Sequence, residues 1–186
     1  VALITGCSSG IGKSTALEFA RDGIYTFASM RDISKGIELS DIAQKEGLDL
    51  EIITLDVTNS QEIDEVFKKI LEKKDRLDIL VNNAGFMIMG AFEDVDISQF
   101  DLQWKTDFLG PAMLMKKALP IMRNQGTDND GIRGNIINVS SIAGKIPFAY
   151  GSAYISSKFA LEGLSETISD EMVDFGIKIN IIEPGV

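Results

Sequence analysis

No histidine occurs anywhere in the 186 residues, and cysteine is present once, as Cys7. Losing histidine removes the one side chain whose ordinary pKa lies near neutrality, so proton transfer must fall to another group. A single thiol cannot close an intramolecular disulfide, and without imidazole no zinc set forms, so no metal site is expected. This composition fits a reducing cytoplasm. Positive charge is also in deficit, with 18 Lys plus Arg against 28 Asp plus Glu and a net charge of -10. That balance argues against nucleic acid and anionic membranes as partners and leaves a small-molecule ligand. No apolar run approaches the ~20 residues that cross a bilayer. With 45% hydrophobic residues the chain suits one sizeable core and is short for two, so residues 1–186 read as a single domain.

What is present is an alternation. Short β-rich runs at 1–5, 24–30, 50–57, 77–82, 135–140 and 177–182 are separated by longer stretches of helical period, the pattern of a parallel sheet with crossover helices. The clearest helix is 60–73, where Ile63, Val66, Phe67, Ile70 and Leu71 share one face. A long helix is expected over about 98–123, bent at Gly110-Pro111 because proline removes a backbone donor. The last helix covers about 152–174, and its small residues Ala153, Ser156, Ser157 and Ala160 permit close packing against a sheet, a ligand or a second subunit. Residues 124–134, rich in Asn, Asp and Gly, read as an exposed loop. Asn138-Val139-Ser140 matches a glycosylation acceptor by letter but lies in an apolar strand-like run, and is set aside.

The first run leads into Gly6-Cys7-Ser8-Ser9-Gly10-Ile11-Gly12 and then a helix from about Ile11 or Gly12 to Asp22. A glycine-rich turn between strand and helix lets backbone N–H groups approach an anion, and the helix dipole favours its charge. Gly12-Lys13-Ser14 looks like the tail of a nucleotide-hydrolase P-loop, but that motif needs glycine where this chain has Cys7. The Gly-x-Gly-x-x-Gly dinucleotide fingerprint fails on spacing as well. Later in the chain, Tyr154 and Lys158 stand four residues apart on one helix face. There an ammonium can favour the ionised form of a phenol, an acid/base device that needs no histidine.

Thr5-Gly6-x-x-x-Gly10-x-Gly12 resembles the cofactor loop of the short-chain dehydrogenase/reductase family, and the resemblance covers nearly the whole chain. Asn82-Asn83-Ala84-Gly85 is similar to that family's second signature. Ser141, Tyr154 and Lys158 fall at its catalytic spacing, and Pro184-Gly185 at the turn after its sixth strand. The resemblance implies a doubly wound, Rossmann-type α/β sheet with helices on both faces. It also implies a nicotinamide dinucleotide that exchanges hydride with a carbonyl or alcohol. Tyr154 is then the proton donor and acceptor, Lys158 lowers its pKa and grips the nicotinamide ribose, and Ser141 hydrogen-bonds the reacting oxygen. Cofactor contacts are implied for Gly6, Ser8, Ser9, Gly10, Ile11 and Gly12 in the loop and for Arg31, Asp56 and Val57 beyond the next two strands. Asn83, Ala84, Gly85, Pro184 and Gly185 complete the set. Each polar candidate also has a plainer role: Ser141 or Ser140 as a strand-end cap, Asp56 as a turn cap, Asn83 as a tie between strands.

An acidic residue at the end of the second strand would bind the adenosine ribose and repel a 2'-phosphate; here Met30 takes that place and Arg31 follows, so NADP(H) is expected over NAD(H). Asp32 next to it weighs against that choice unless its carboxylate points to solvent. Asp107-Phe108-Leu109-Gly110 stands where the family has Asn-x-x-Gly, which replaces an amide donor by an acceptor-only carboxylate and makes Asp107 the fourth catalytic candidate. The resemblance further implies a homodimer or homotetramer, and a substrate-covering segment after Pro184-Gly185, where this sequence ends. The Cys-Ser-Ser-Gly-Ile-Gly loop and the Tyr154 to Glu162 run look most like the branch acting on steroids, retinoids and assorted carbonyls. Two other readings stand beside the carbonyl reductase: a non-catalytic NADPH-binding or scaffold protein, and a P-loop hydrolase.

Overall fold

The computed structural model describes residues 1–185. Six strands, β1 (Ala2–Ile4), β2 (Thr26–Met30), β3 (Leu50–Thr54), β4 (Ile79–Asn82), β5 (Gly134–Val139) and β6 (Ile177–Ile182), form one sheet in the order β3-β2-β1-β4-β5-β6. Every pairing is parallel. Strand order runs outward in both directions from the β1/β4 boundary, the switch point at which such sheets open a crevice beyond the carboxyl ends of their strands.

Helices cover both faces. Leu3, Phe27, Leu80 and Ile136 point from the sheet towards α3 (Ser60–Lys74) and α5 (Gly110–Asn124), meeting Ile63, Phe67, Ile70, Leu114 and Met122. Ile4, Ala28 and Val81 point the other way, on to Ala16 and Leu17 of α1 (Gly10–Arg21) and Leu39 of α2 (Ile37–Glu46). Period-two alternation along β1 therefore feeds two cores, which is why β1 and β2 read as uninterrupted buried runs. The α3 boundaries are set locally: the Asn59 side chain accepts from the Gln61 and Glu62 N–H groups, and Asp75 leaves the helix at φ 55.

Three expectations need adjustment. Residues 37–46 form α2, which the sequence does not single out because only Leu39 and Ala43 on it are buried. The carboxyl ends of the expected strands, Thr5 and residues 55–57, leave the sheet for the crevice. The expected long helix runs without a break from Ile97 to Asn124 but changes pitch, α4 (Ile97–Trp104) passing into α5 through a π-helical turn over Lys105–Leu109. Pro111 is the second residue of α5 and, lacking an N–H, makes no backbone bond back into the π turn. The small face of α6 (Ser152–Met172) packs within the chain: Ala153 and Ser157 are buried, and Ser156 Oγ accepts from Trp104 Nε1 at 3.0 Å. Asn138 is buried, its Oδ1 accepting from Asn82 Nδ2 at 2.7 Å and its Nδ2 donating to Ser165 Oγ at 2.8 Å, which excludes it as a glycan acceptor in the folded chain. Among the described residues no helix is long and apolar enough to cross a membrane.

Close approach explains Gly110. A Cβ there would stand 2.9 Å from the Val57 carbonyl oxygen and 3.0 Å from Val57 Cγ2. Gly110→Ala is expected to lower stability by about 1–3 kcal/mol, as overpacking against backbone does. Urea unfolding checks it, and an unchanged midpoint would show that the α4–α5 junction can move away from the crevice.

Candidate active site

At the switch point Thr5 and Asn83 tie β1 to β4. Thr5 Oγ1 accepts from the N–H groups of Asn83 and Ala84, both at 3.0 Å, and donates to the Val81 carbonyl at 3.3 Å. Asn83 Nδ2 donates back to the Thr5 and Gly6 carbonyls at 2.8 and 3.3 Å. Gly6 turns here at φ +73 with room for no side chain, since a Cβ would lie 2.8 Å from Ala84 Cα. Asn83 thus has the tying role, while its edge still faces the crevice.

Two compartments open above this tie. The first, about 310 Å³, is lined by Gly6, Ser8, Ser9 and Ile11 of the loop, by Met30 and Arg31, by Leu55, Asp56 and Val57, and by Asn83 to Phe86 with Thr106. The second, about 300 Å³, is lined by Met87, Asp107, Val139, Ser140, Ser141, Tyr154, Lys158, Pro184 and Gly185 and shares Ile11, Asn83, Gly85 and Phe86 with the first. The shared residues make one groove of the two. Of the expected set, Gly10 and Gly12 do not line it. A Cβ on Gly12 would meet Asn83 Nδ2 and the Gly6 carbonyl, so this glycine lets helix and loop close up, and Gly10 (φ +57) faces open space.

The first compartment suits a dinucleotide. Ser9 precedes α1 without a side-chain cap bond, which leaves the first-turn amides free for an anion. Arg31 is exposed at the rim, whereas Asp32 turns its Oδ1 on to the Ser34 N–H (3.0 Å) and hydroxyl (2.6 Å) to start a short 3-10 turn. Asp56 lines the cleft and also closes a turn, its Oδ1 accepting from Thr58 N–H (2.9 Å) and Oγ1 (2.7 Å). Lys13 corrects the P-loop alternative, because its ammonium pairs with Glu38 at 2.6 Å and stays out of the groove.

In the second compartment Lys158 is nearly buried. Its Nζ donates to the Val139 carbonyl at 2.9 Å and lies 3.7 Å from Asp107 Oδ2, an ion pair without a hydrogen bond. Burial pushes the Lys158 pKa down, and the charges of Asp107 and Glu162 oppose that. Asp107 is carried inward by the π turn, a feature common at functional sites, and its Oδ1 accepts from the Phe86 N–H at 3.4 Å. Desolvation raises its pKa to about 6 despite Lys158.

Tyr154 departs from expectation. Its pKa is raised, first by burial and further by the Asp107 charge, with the Ser141 hydroxyl pulling the other way. Lys158 sits 5.6 Å from the ring centroid with its charge turned to Val139 and Asp107, so it does not bring the phenol down. Ser141 Oγ accepts from the Ala143 N–H at 3.1 Å and so caps the 3-10 turn Ile142–Gly144 while facing the groove. Ser140, its rival for that cap, is buried, and its hydroxyl has no partner among the described residues.

A profile of the short chain dehydrogenase family matches residues 1–186. The chain belongs to this family. It is 36% identical over 185 residues to a 3-ketodihydrosphingosine reductase of Bacteroides thetaiotaomicron, covering all of this chain and 63% of that protein. It is 33% identical to retinol dehydrogenase 8 of Homo sapiens over 187 residues, 98% of this chain and 57% of that one. A Streptomyces avermitilis short-chain dehydrogenase superposes with a TM-score of 0.90 at 37% identity, covering all of this chain and 65% of that one. A metagenomic short-chain oxidoreductase solved in complex with NADP gives 0.91 at 30%, covering 100% and 81%. The chain thus spans less than two thirds of the length of these curated relatives.

Within this short-chain dehydrogenase, several residues of the groove were not foreseen. Phe86 and Met87 lie in the irregular segment after β4, where no periodicity marks a role. Gln103, fully buried, accepts from the Ile88 N–H at 2.8 Å and donates to the Phe86 carbonyl at 2.6 Å, so its amide fixes that segment as a strand partner would. Its position four residues before Asp107 was the available signal. The raised Asp107 pKa sets a sign for stability. A carboxyl that holds its proton more tightly when folded loses stability as pH rises from its ordinary 3.8 to about 6. Relative to Asp107→Asn, wild type should therefore weaken over that window, by on the order of 3 kcal/mol, and hold level above it. Denaturant unfolding of both proteins at pH 4 to 7 checks this, and parallel profiles would mean that Lys158 fully neutralises the acid.

Proposed function

We propose that this chain carries the cofactor site and acid/base centre of an NADP(H)-dependent oxidoreductase acting on a carbonyl or secondary alcohol. The observation that carries the reading is the convergence of Ser141, Tyr154, Lys158 and Asp107 on a compartment continuous with the glycine-loop cleft. A nicotinamide dinucleotide, when bound, supplies or accepts the hydride. Gly6, Ser8, Ser9 and the α1 amides would hold its diphosphate, Asp56 and Val57 would contact its adenosine part, and Asn83 to Gly85 with Pro184 and Gly185 would contact its nicotinamide part. NADP over NAD is favoured because Arg31 is free at the rim while Asp32 is engaged with Ser34. A neighbouring fold is known with NADP bound, in agreement with that choice.

Tyr154 holds its proton at neutral pH, since burial raises its pKa. It can hand that proton to a carbonyl oxygen as negative charge grows there, and reclaim it from an alcohol. Ser141 donates a second hydrogen bond to the same oxygen. Lys158 places a positive charge behind the phenol, and Asp107 shares that charge. An amide at position 107 would leave Lys158 freer to stabilise the phenolate, so Asp107 slows the reaction. Relatives named for 3-ketodihydrosphingosine and retinol direct the substrate search towards apolar carbonyls and alcohols. Exposed Leu102, Leu109 and Phe159, on α4, the π turn and α6, favour pairing with a second copy as a homodimer or homotetramer.

A non-catalytic NADPH-binding role is the second reading, favoured by the carboxylate at 107. Turnover separates the two. Tyr154→Phe should lower kcat by roughly 10²–10⁴-fold with NADPH affinity kept, and Asp107→Asn should raise it; a protein that binds NADPH and turns over no ketone or aldehyde supports the second reading. Arg31→Ala should weaken NADPH far more than NADH in fluorescence titrations, and equal losses would remove the cofactor assignment.

A further inference from the structure

Glu162 is the buried charge that the proposed chemistry leaves unused. Its side chain is 5% exposed, and neither carboxylate oxygen has a hydrogen bond among the described residues. Burying a carboxylate in that state is costly unless a cation faces it. The facing cation is Lys145, 3.1 Å from Glu162 Oε2 and the first residue past the 3-10 turn that Ser141 caps. Lys145 also reaches Glu166 Oε1 at 3.1 Å, one turn further along α6, and Glu183 Oε1 at 3.7 Å, just before Pro184-Gly185. The turn itself rests on Glu162: a Cβ on Gly144 would lie 2.8 Å from Glu162 Cγ and 2.9 Å from its Oε1, so only glycine allows this approach. Lys158, one turn before Glu162, feels the same charge.

Three segments therefore meet at one ion cluster: the turn carrying Ser141, the helix carrying Tyr154 and Lys158, and the strand end leading to Pro184-Gly185. Backbone bonds complete the junction, from Ser140 N–H to the Ile182 carbonyl at 2.8 Å and from Ile142 N–H to the Pro184 carbonyl at 3.1 Å. We propose that Glu162, through Lys145, is a positioning residue that locks the Ser141 turn on to α6, so that losing its charge is read in turnover and not in cofactor affinity. This rests on the oxidoreductase reading, because the oxygen to be positioned is that of the Ser141 hydroxyl opposite Tyr154.

The test compares wild type with Glu162→Gln in two independent readouts. Amide hydrogen exchange over residues 142–146, where the N–H groups of Gly144, Lys145 and Ile146 are bonded within the turn, should accelerate ~10-fold while α3 stays unchanged. In turnover, kcat should fall roughly 10-fold with KM for NADPH within about twofold, the pattern of a misplaced group. Lys145→Arg, which keeps the charge, should stay near wild type in both, and Lys145→Met replaces Glu162→Gln if that variant does not fold. Unchanged exchange overturns the lock. Faster exchange with wild-type kcat makes the contact structural only and overturns the positioning role. Loss of activity in Tyr154→Phe is the control for the underlying reading; if wild type itself were inactive, that reading would fail while the exchange readout still decided the lock.

Discussion

The groove exists because Thr5 and Asn83 hold β1 and β4 together where the sheet reverses its winding order. Five polar contacts join these two residues and their neighbours, and all lie at the carboxyl ends of adjacent central strands. Gly6 can pass within contact of Ala84 only in this geometry, and Gly12 can close on Asn83 only without a side chain. The loop, the start of α1 and the segment after β4 are therefore placed by one constraint. Everything proposed for the dinucleotide depends on that placement, because backbone N–H groups bind an anion only if the turn that presents them is rigid.

A second tension sits at Lys158. Burial works against its charge, and the chain answers with two acids, Asp107 from the π turn and Glu162 from α6 itself. The same burial, together with the Asp107 charge, pushes the Tyr154 phenol up. Lysine and tyrosine on one helix face thus do not by themselves make an ionised phenol; what the lysine faces decides where its field is spent. In this chain it faces Val139 and Asp107. That arrangement suits a tyrosine that starts protonated and gives its proton away.

Much of this was legible in the residues, and the reasons differ by element. Sheet and crossovers could be read because β1, β2 and β4 are apolar runs set between amphipathic helices. The groove residues were named through the family resemblance, which could be seen because Thr5 to Gly12, Asn82 to Gly85 and Tyr154 with Lys158 are each contiguous or one turn apart. Long-range packing stayed hidden. Gly110-Pro111 signals a bend in a helix, but the π turn that swings Asp107 inward also needs Gly110 against Val57. Asp32 and Arg31 are neighbours in the chain, and only the 3-10 turn that consumes the Asp32 carboxylate distinguishes their roles. Gln103 and Glu162 look like ordinary polar helix residues until their burial is known.

The central claim is that this groove brings a nicotinamide and a reacting carbonyl to Tyr154. It is tested most directly by incubating the protein with NADPH deuterated at the reactive carbon of its nicotinamide ring and a panel of apolar ketones and aldehydes, with mass spectrometry of the alcohols formed. The account predicts deuterium on the former carbonyl carbon, from one face of the ring only, and none in the Tyr154→Phe protein. Tight cofactor binding with no label in any product would contradict it.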